Sequence, residues 1–334
     1  MNQGQGSRNE QGPEDRTPRD PVGGVRHRGD DHASRRGLLR AAVASAGVMA
    51  SGASRVGATT SLEPEAGATT IKNGRIKQSI VQWCFADAWD VPRMIQVAKG
   101  LGCGSIELIE PKFFPMLKDA GLECAIGTID MNPDPPFVKG FNNPKYRDQI
   151  LKATRDAIDA CAEFGYKNVI CFTGMREEIP DDVGAKNCVE GFKQIIGHAE
   201  EKKVTLCLEM LNTRATDHPM KGHPGYQGDH TDYCVDIIRR VGSPNLKLLF
   251  DIYHVQIMDG DVIRRIRELK ELIGHVHTAG NPGRGELDEK QEINYPPIMK
   301  ALLEVGYRGY VGQEFIPTRD PLEGLKQAVT LCDV

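Results

Sequence analysis

The sequence lacks any excess of positive charge and any long apolar run. Its 334 residues contain 42 Lys and Arg against 46 Asp and Glu, which leaves a formal net charge of -4 at pH 7. Nucleic-acid-binding proteins usually show a basic patch, so this balance speaks against a nucleic-acid partner. No segment has the length and apolar character of a transmembrane helix, so we expect no stable membrane insertion.

Cysteine is present, but it lacks the spacing of a disulfide framework or a zinc site. The nine cysteines are an odd number without regular spacing, and no Cys-x-x-Cys pair occurs. Several fall within apolar runs that predict strands, where a free thiol behaves as a small buried hydrophobic group. These are Cys84, Cys124, Cys171 and Cys207. The pattern is typical of a protein that folds in a reducing compartment.

The N-terminal segment has almost no large apolar side chains. Residues 1–33 are rich in Gly, Arg, Asp, Glu and Pro, which predicts a disordered leader. Residues 34–58 place the pair Arg35-Arg36 before a weakly apolar Ala/Gly-rich stretch, which predicts a Tat-type export signal. The alternative is a disordered extension with an accidental Arg pair. We predict a linker over 59–74 and a periplasmic or other extracytoplasmic location, or a cytoplasmic one if the leader does not function.

Residues 75–334 alternate between short apolar runs and amphipathic stretches. The runs are apolar on both faces, as in parallel strands that are covered by helices. They occupy 79–85, 105–109, 123–130, 168–174, 205–211, 246–254, 274–280 and 310–317. Eight strand–helix units predict a single-domain (β/α)8 TIM barrel, with substrate-binding loops after the third and fifth strands. An open doubly wound sheet would need a Gly-rich phosphate loop after the first strand, and none is present.

An acidic or imidazole side chain lies near the end of each of the last four runs. These side chains are Glu209, Asp251, His277 and Glu314. Barrel strands end at one mouth, so we expect the four side chains to converge. An unpaired carboxylate within an apolar run is costly, which makes scattered structural ion pairs the poorer explanation. Oxygen and imidazole ligands suit a hard or borderline divalent cation, and we predict Mn²⁺ or Mg²⁺.

Two glutamates beside one cation indicate a proton-transfer reaction. A divalent ion that bridges a carbonyl and an adjacent hydroxyl oxygen acidifies the C–H between them and stabilises the enediolate. Glu209 and Glu314 lie on the fifth and eighth predicted strands, so they would flank a bound substrate. One would remove a proton as general base and the other would return it. This predicts isomerisation or epimerisation of a small hydroxy-carbonyl compound or sugar.

Four further side chains are predicted to contact the substrate, namely His254, Arg284, Arg214 and Glu107. Arg284 follows the seventh strand, where this fold often binds anions, and it would hold a substrate carboxylate. His254 comes shortly after Asp251 and would orient a ligand or contact substrate hydroxyls. Arg214 lies in the long loop after the fifth strand, and Glu107 would also serve as a partner of the ligands. The alternative for each is a solvated or structural role.

At these residues the chain resembles the xylose-isomerase-like TIM barrels, and most closely the hydroxypyruvate isomerase family. The resemblance covers residues 75–330. It is carried by LEMLNTR (208–214), HPGYQ (223–227), FDIYHVQIMDGD (250–261), GHVHTAGNPGRGELD (274–288) and EINYPPIMKALLEVGYRGYVGQE (292–314). It implies interconversion of hydroxypyruvate and tartronate semialdehyde, with Glu209 and Glu314 as the catalytic pair. That family carries Gln where this chain has His277, and a Glu/Asp/His/Glu set instead resembles the ketose 3-epimerases of the same superfamily.

Other functions stay open on the sequence alone. A phosphodiesterase like the endonuclease-IV-type barrels would need more His and carboxylate ligands, and the chain has only nine His. An exported sugar-binding barrel that has kept the ion would not need a second glutamate opposite the first. The oligomeric state is also open, with a homo-oligomer among the alternatives.

Overall fold

The barrel is built from seven parallel strands in one curled sheet. The computed structural model describes residues 69–334, so the predicted leader, export signal and most of the linker lie outside it. The strands are β1 (Lys77–Val81), β2 (Ser105–Glu107), β3 (Asn168–Phe172), β4 (Thr205–Glu209), β5 (Leu246–Asp251), β6 (Ile273–Thr278) and β7 (Tyr310–Gln313). Their order in the sheet is β2-β1-β7-β6-β5-β4-β3. The predicted TIM-barrel class is confirmed.

The helices of the described range cover the outside of the sheet. They are α1 (Gln82–Phe85), α2 (Val91–Leu101), α3 (Phe114–Asp119), α4 (Arg147–Phe164), α5 (Asp181–Lys202), α6 (Thr231–Val241), α7 (Ile252–Met258), α8 (Val262–Glu268), α9 (Tyr295–Glu304) and α10 (Pro321–Cys332). Gly102, Gly165 and Gly242 end α2, α4 and α6 in the left-handed conformation, where glycine carries no Cβ penalty. None of these helices combines the length and the apolar character that crossing a membrane requires.

The eighth strand position is occupied by an irregular segment. The run predicted as a strand over 123–130 forms only isolated parallel bridges, Ser105 with Glu123 and Gly127 with Val169. Side chains interrupt the ladder between them. The N–H of Ala125 donates to the Ser105 hydroxyl at 2.8 Å, and the Asn168 side chain donates to the Ala125 carbonyl at 2.9 Å. The segment therefore closes the barrel between β2 and β3 without forming a regular strand.

Two predicted strands end earlier than expected because helices begin inside them. β1 ends at Val81, and α1 follows, so Cys84 lies in a helix and not in a strand. β5 ends at Asp251, whose Oδ1 accepts hydrogen bonds from the N–H groups of Tyr253 at 2.8 Å and His254 at 3.4 Å. Aspartate is a favoured helix N-cap, and this cap starts α7. His254 consequently lies in the first turn of a helix.

The first residues of the described range are fastened to the end of the chain. The carboxylate of Asp333 accepts hydrogen bonds from the backbone N–H groups of Lys72, Asn73 and Gly74 at 2.6 to 2.8 Å. Residues 72–74 of the predicted linker therefore contact the C-terminal end of the barrel. All nine cysteines are unpaired thiols, and only Cys84 is not fully buried.

The packing of the barrel interior depends on a glycine in β7. Gly312 pairs with Ser79 of β1 and His277 of β6. A Cβ at residue 312 would overlap the Glu107 carboxylate and would lie 2.8 Å from His277 Cδ2. Glycine at this position therefore makes room for a charged side chain inside the sheet.

We expect Gly312→Ala to destabilise the protein by about 1–3 kcal/mol, because overpacking displaces Glu107 or the strand. A melting temperature lowered by roughly 2–10 °C would report this effect. Gly100→Ala is the matched control. Residue 100 lies in α2 with nothing within 4 Å of an added Cβ, so alanine there should leave stability unchanged or raise it. Equal melting temperatures for the two variants would contradict the steric explanation.

Candidate active site

The structure brings the four strand-end side chains together. Glu209, Asp251, His277 and Glu314 each offer one ligand atom, and these atoms all lie within 4.8 Å of one another. Glu209 and Asp251 are the last residues of β4 and β5, and Glu314 directly follows β7. Asp251 pairs with His277 across β5 and β6. The parallel register therefore produces the convergence that the sequence predicts.

The chemistry of this donor set fits a divalent cation. His277 Nδ1 lies 2.9 Å from Glu314 Oε2 and 3.7 Å from Glu209 Oε1. Both Nδ1 of His277 and Oε1 of Glu209 are buried without a hydrogen-bond partner in the described part of the chain. Buried polar atoms without partners are rare and costly in proteins. A cation held by three carboxylate oxygens and one imidazole nitrogen would satisfy them.

Glu107 determines which nitrogen of His277 is available as a ligand. Its Oε1 accepts hydrogen bonds from Nε2 of His277 at 2.8 Å and from Nε2 of His275 at 2.9 Å. Burial alone would raise the pKa of Glu107, but the two histidines outweigh it and hold the pKa at about 2. The carboxylate is therefore an acceptor only, so Nε2 of His277 carries a proton and Nδ1 is the nitrogen available to a cation. Burial would lower the pKa of His277, but Glu314 and the other carboxylates around it hold that pKa well above its ordinary value, so a bound cation would replace a proton on Nδ1. Glu107 thus lies beneath the ligands as their partner, which is one of its two predicted roles, and it does not line the pocket as the predicted substrate contact would require.

Arg284 is buried between two of the ligand carboxylates. Its Nη2 lies 2.6 Å from Glu314 Oε2 and 3.4 Å from Asp251 Oδ2, and its Nη1 donates to the Met220 carbonyl at 2.6 Å. The guanidinium also lies over the rings of Trp83 and Tyr253, with centroids 5.3 and 5.7 Å away. Its backbone is left-handed at φ 54°, an uncommon conformation for a residue with a side chain.

The two glutamates have pKa values displaced in opposite directions. Burial raises the pKa of Glu209, and the charge of Glu314 adds to this effect. Burial would also raise the pKa of Glu314, but Arg284 and His277 outweigh it and hold that pKa well below its ordinary value. Paired carboxyl groups in unlike environments are a common arrangement for acid–base catalysis.

His254 is held in a single tautomer. Its Nδ1 accepts a hydrogen bond from the backbone N–H of Asn212 at 3.0 Å, so the proton of the neutral ring is on Nε2. Burial, followed by the charge of Arg284, holds the pKa of His254 well below its ordinary value. Nε2 has no hydrogen-bond partner in residues 69–334 and lies 3.5 Å from Asp251 Oδ2. The site therefore contains an uncommitted N–H donor.

A cavity of about 330 Å³ opens onto Glu209, Glu314 and Arg284, whereas Asp251 and His277 do not line it. The loops after the third and fifth strand positions contribute to its wall, as their length predicts. Arg214 is not part of the wall. It is exposed and donates to the Ile257 carbonyl at 2.9 Å. The wall residues Phe137 and Met220 were not predicted, because their place in those loops is the only signal they carry in the sequence.

This barrel is that of a known family. The chain belongs to the xylose isomerase-like TIM barrel family, whose sequence profile matches residues 95–332. It is 31% identical over 258 residues to a putative hydroxypyruvate isomerase of Homo sapiens, covering 73% of this chain and 91% of that protein. It is 35% identical over 246 residues to a 2-oxo-tetronate isomerase of Pectobacterium atrosepticum, covering 71% and 91%.

The fold is shared with a crystal structure of an AP endonuclease, family 2, from Brucella melitensis. The TM-score is 0.67 at 26% identity, with 75% of this chain and 97% of that chain covered. The curated relatives confirm the resemblance to the hydroxypyruvate isomerase family and show that the protein is an isomerase.

We expect Glu107→Gln to weaken Mn²⁺ binding by about 10- to 100-fold, because the amide no longer fixes the orientation and tautomer of His277. Isothermal titration calorimetry with Mn²⁺ would measure the effect, and circular dichroism would verify the fold. Glu110→Gln is the matched control, since that side chain is 65% exposed on the segment that follows β2. Affinities within twofold for Glu107→Gln and the unaltered protein would contradict the orienting role.

Proposed function

We propose that the protein is a divalent-metal-dependent isomerase that transfers a proton between the two adjacent carbons of an α-hydroxy-carbonyl compound. The observation that carries this proposal is the unequal placement of the four ligands. Glu209 and Glu314 line the cavity, whereas Asp251 and His277 do not. Two carboxylates that face the substrate can exchange protons with it, and the other two side chains complete a cation site.

A Mn²⁺ or Mg²⁺ ion in this site would polarise the carbonyl and the neighbouring hydroxyl group and acidify the C–H bond between them. Glu314, with its low pKa, is ionised and removes the carbon-bound proton. Glu209, with its raised pKa, delivers a proton to the neighbouring carbon, and the proton of the hydroxyl group passes to the former carbonyl oxygen. Exchange with solvent then returns both glutamates to their starting states. Proton removal and return by two separate groups allow the hydrogen to exchange with solvent.

The remaining polar groups position the reactants. The Nε2–H of His254 lies 3.5 Å from Asp251 Oδ2 without a partner among the described residues, so it is available to orient that ligand. Arg284 holds Glu314 in place through the 2.6 Å contact and keeps it ionised. In this assignment Arg284 acts on the catalytic glutamate in addition to any contact with substrate.

The relatives' names point to interconversion of hydroxypyruvate and tartronate semialdehyde as the first candidate reaction. Epimerisation of a ketose next to its carbonyl is the second candidate, and His277 supports it. The hydroxypyruvate isomerase pattern has Gln at that position, whereas an imidazole ligand completes the Glu/Asp/His/Glu set. Export through the predicted leader stays a prediction, because residues 1–68 lie outside the described range.

We expect Glu314→Gln to lower the rate of hydrogen–deuterium exchange next to the substrate carbonyl by about 10²- to 10⁴-fold, the usual contribution of a general base. The exchange would be followed by NMR in D₂O at saturating Mn²⁺, with hydroxypyruvate and a ketose as substrates. Calorimetric titration of the same variant would separate loss of the base from loss of the ion.

The control for this experiment is Glu304→Gln, which alters an exposed ion pair with Arg267 and should leave exchange unchanged. Removal of Mn²⁺ with a chelator should abolish exchange, and added Mn²⁺ should restore it. Exchange in the Glu314→Gln variant at the unaltered rate, with the ion bound, would refute the two-glutamate mechanism.

A further inference from the structure

The wall of the cavity is apolar away from the cation site. Beyond Glu209, Glu314 and Arg284, the only side chains with polar groups that line it are Thr128, His223 and Trp83 among residues 69–334. Trp83 donates its indole N–H to Glu314 Oε1 at 3.1 Å. The remaining wall consists of aliphatic, aromatic and proline side chains, including Leu108, Pro135, Phe137, Phe172 and Leu211.

The one positively charged side chain that faces this space in the described part of the chain is already engaged by carboxylates. Arg284 is the only Lys or Arg that lines the cavity there. Its terminal nitrogens are already bound to Glu314, Asp251 and the Met220 carbonyl. His223 is neutral at physiological pH, since burial, followed by the charge of Arg284, lowers its pKa to about 3. Apart from the cation, a substrate carboxylate would therefore have only the Nε–H of Arg284, which has no partner among residues 69–334, as a positively charged contact.

The size of the cavity also favours a substrate other than a three-carbon acid. Its volume of about 330 Å³ is larger than a three-carbon acid requires and lies at the lower end of the range for sites that enclose whole organic ligands. Apolar walls gain free energy when they cover apolar surface and lose it when they desolvate a charge without a partner.

We infer that this site, if it has the proposed function, takes an uncharged α-hydroxy-ketone with an apolar end beyond the reacting carbons, in preference to a free carboxylic acid. The polar half of such a substrate meets the cation, Glu209 and Glu314. Its apolar end packs against the wall that includes Phe137 and Phe172. Recognition of hydroxypyruvate, the acid in the names of several relatives, is thereby reduced in this chain.

The test compares compounds that share the reacting group and differ at the far end. Hydroxypyruvate carries a carboxylate there, 1,3-dihydroxypropan-2-one a hydroxymethyl group, and 1-hydroxybutan-2-one an ethyl group. Exchange of the carbon-bound hydrogens would be measured by NMR in D₂O with the Mn²⁺-loaded full-length protein. The specificity constant kcat/KM for each compound is divided by its uncatalysed exchange rate, because the compounds differ in intrinsic acidity.

We expect 1-hydroxybutan-2-one to exceed hydroxypyruvate in this corrected specificity constant by at least about tenfold, in line with the discrimination that one small group provides. A corrected value for hydroxypyruvate that equals or exceeds that of the ethyl compound would overturn the inference and leave the proposed function standing. No enzyme-dependent exchange with any of the three compounds would overturn the proposed function as well.

A charge placed in the wall provides a second, independent measurement. Met220→Lys would add a cation to the cavity wall while keeping the backbone carbonyl that binds Arg284. We expect it to shift the ratio of the corrected rates towards hydroxypyruvate by about fivefold or more. Met116→Lys is the matched control, because Met116 is 41% exposed and lies outside the cavity. An unchanged ratio in a folded, Mn²⁺-binding Met220→Lys variant would contradict the inference that the lack of positive charge in the cavity wall disfavours hydroxypyruvate.

Discussion

The hydrogen bonds that the Glu107 carboxylate accepts from His275 and His277 are the interaction on which the active site depends. A carboxylate in the interior of a barrel is stable only with donors around it, and two imidazole N–H groups at 2.8 and 2.9 Å supply them. The same bonds direct Nδ1 of His277 towards the other ligands. Gly312 is part of this arrangement, because any larger residue would occupy the space of the carboxylate. The packing inside the sheet and the orientation of the ligand at its mouth therefore depend on the same residues.

Charge at the mouth is arranged so that the two glutamates are not equivalent. Glu314 is surrounded by Arg284, His277 and the Trp83 indole, whereas Glu209 is surrounded mainly by low-dielectric interior and by Glu314 itself. The environment therefore favours ionisation of one and protonation of the other. Arg284 produces this difference through its ion pair with Glu314. Its guanidinium group is therefore already bound to a carboxylate of the site. A residue that the sequence presents as a binding site for substrate anions is, in the fold, a partner of the catalytic machinery.

Local pattern was sufficient for the elements and for the positions of the ligands. Runs that are apolar on both faces predict parallel strands, and parallel strands end on one side, so Glu209 and Asp251 had to be neighbours once the barrel was assumed. The prediction from the local pattern is wrong where side chains take the place of backbone groups as hydrogen-bond partners. Ser105 and Asn168 bind Ala125 and interrupt the predicted third strand, and Asp251 caps a helix that shortens the predicted sixth strand. Such competition depends on neighbours that are distant in the chain, so periodicity does not reveal it.

The family, the barrel and the four converging ligands follow from the order of residues alone, because strand direction and side-chain alternation are local properties. The roles of the surrounding residues do not. Glu107 lies beneath the ligands, Arg284 binds two of them, and Arg214 faces solvent, although each of the three carries an ionisable group that could contact a substrate. Only the tertiary structure separates them, because burial and the identity of the nearest opposite charge determine what an ionised group does. The apolar character of the cavity wall is likewise a product of loops that meet only in three dimensions.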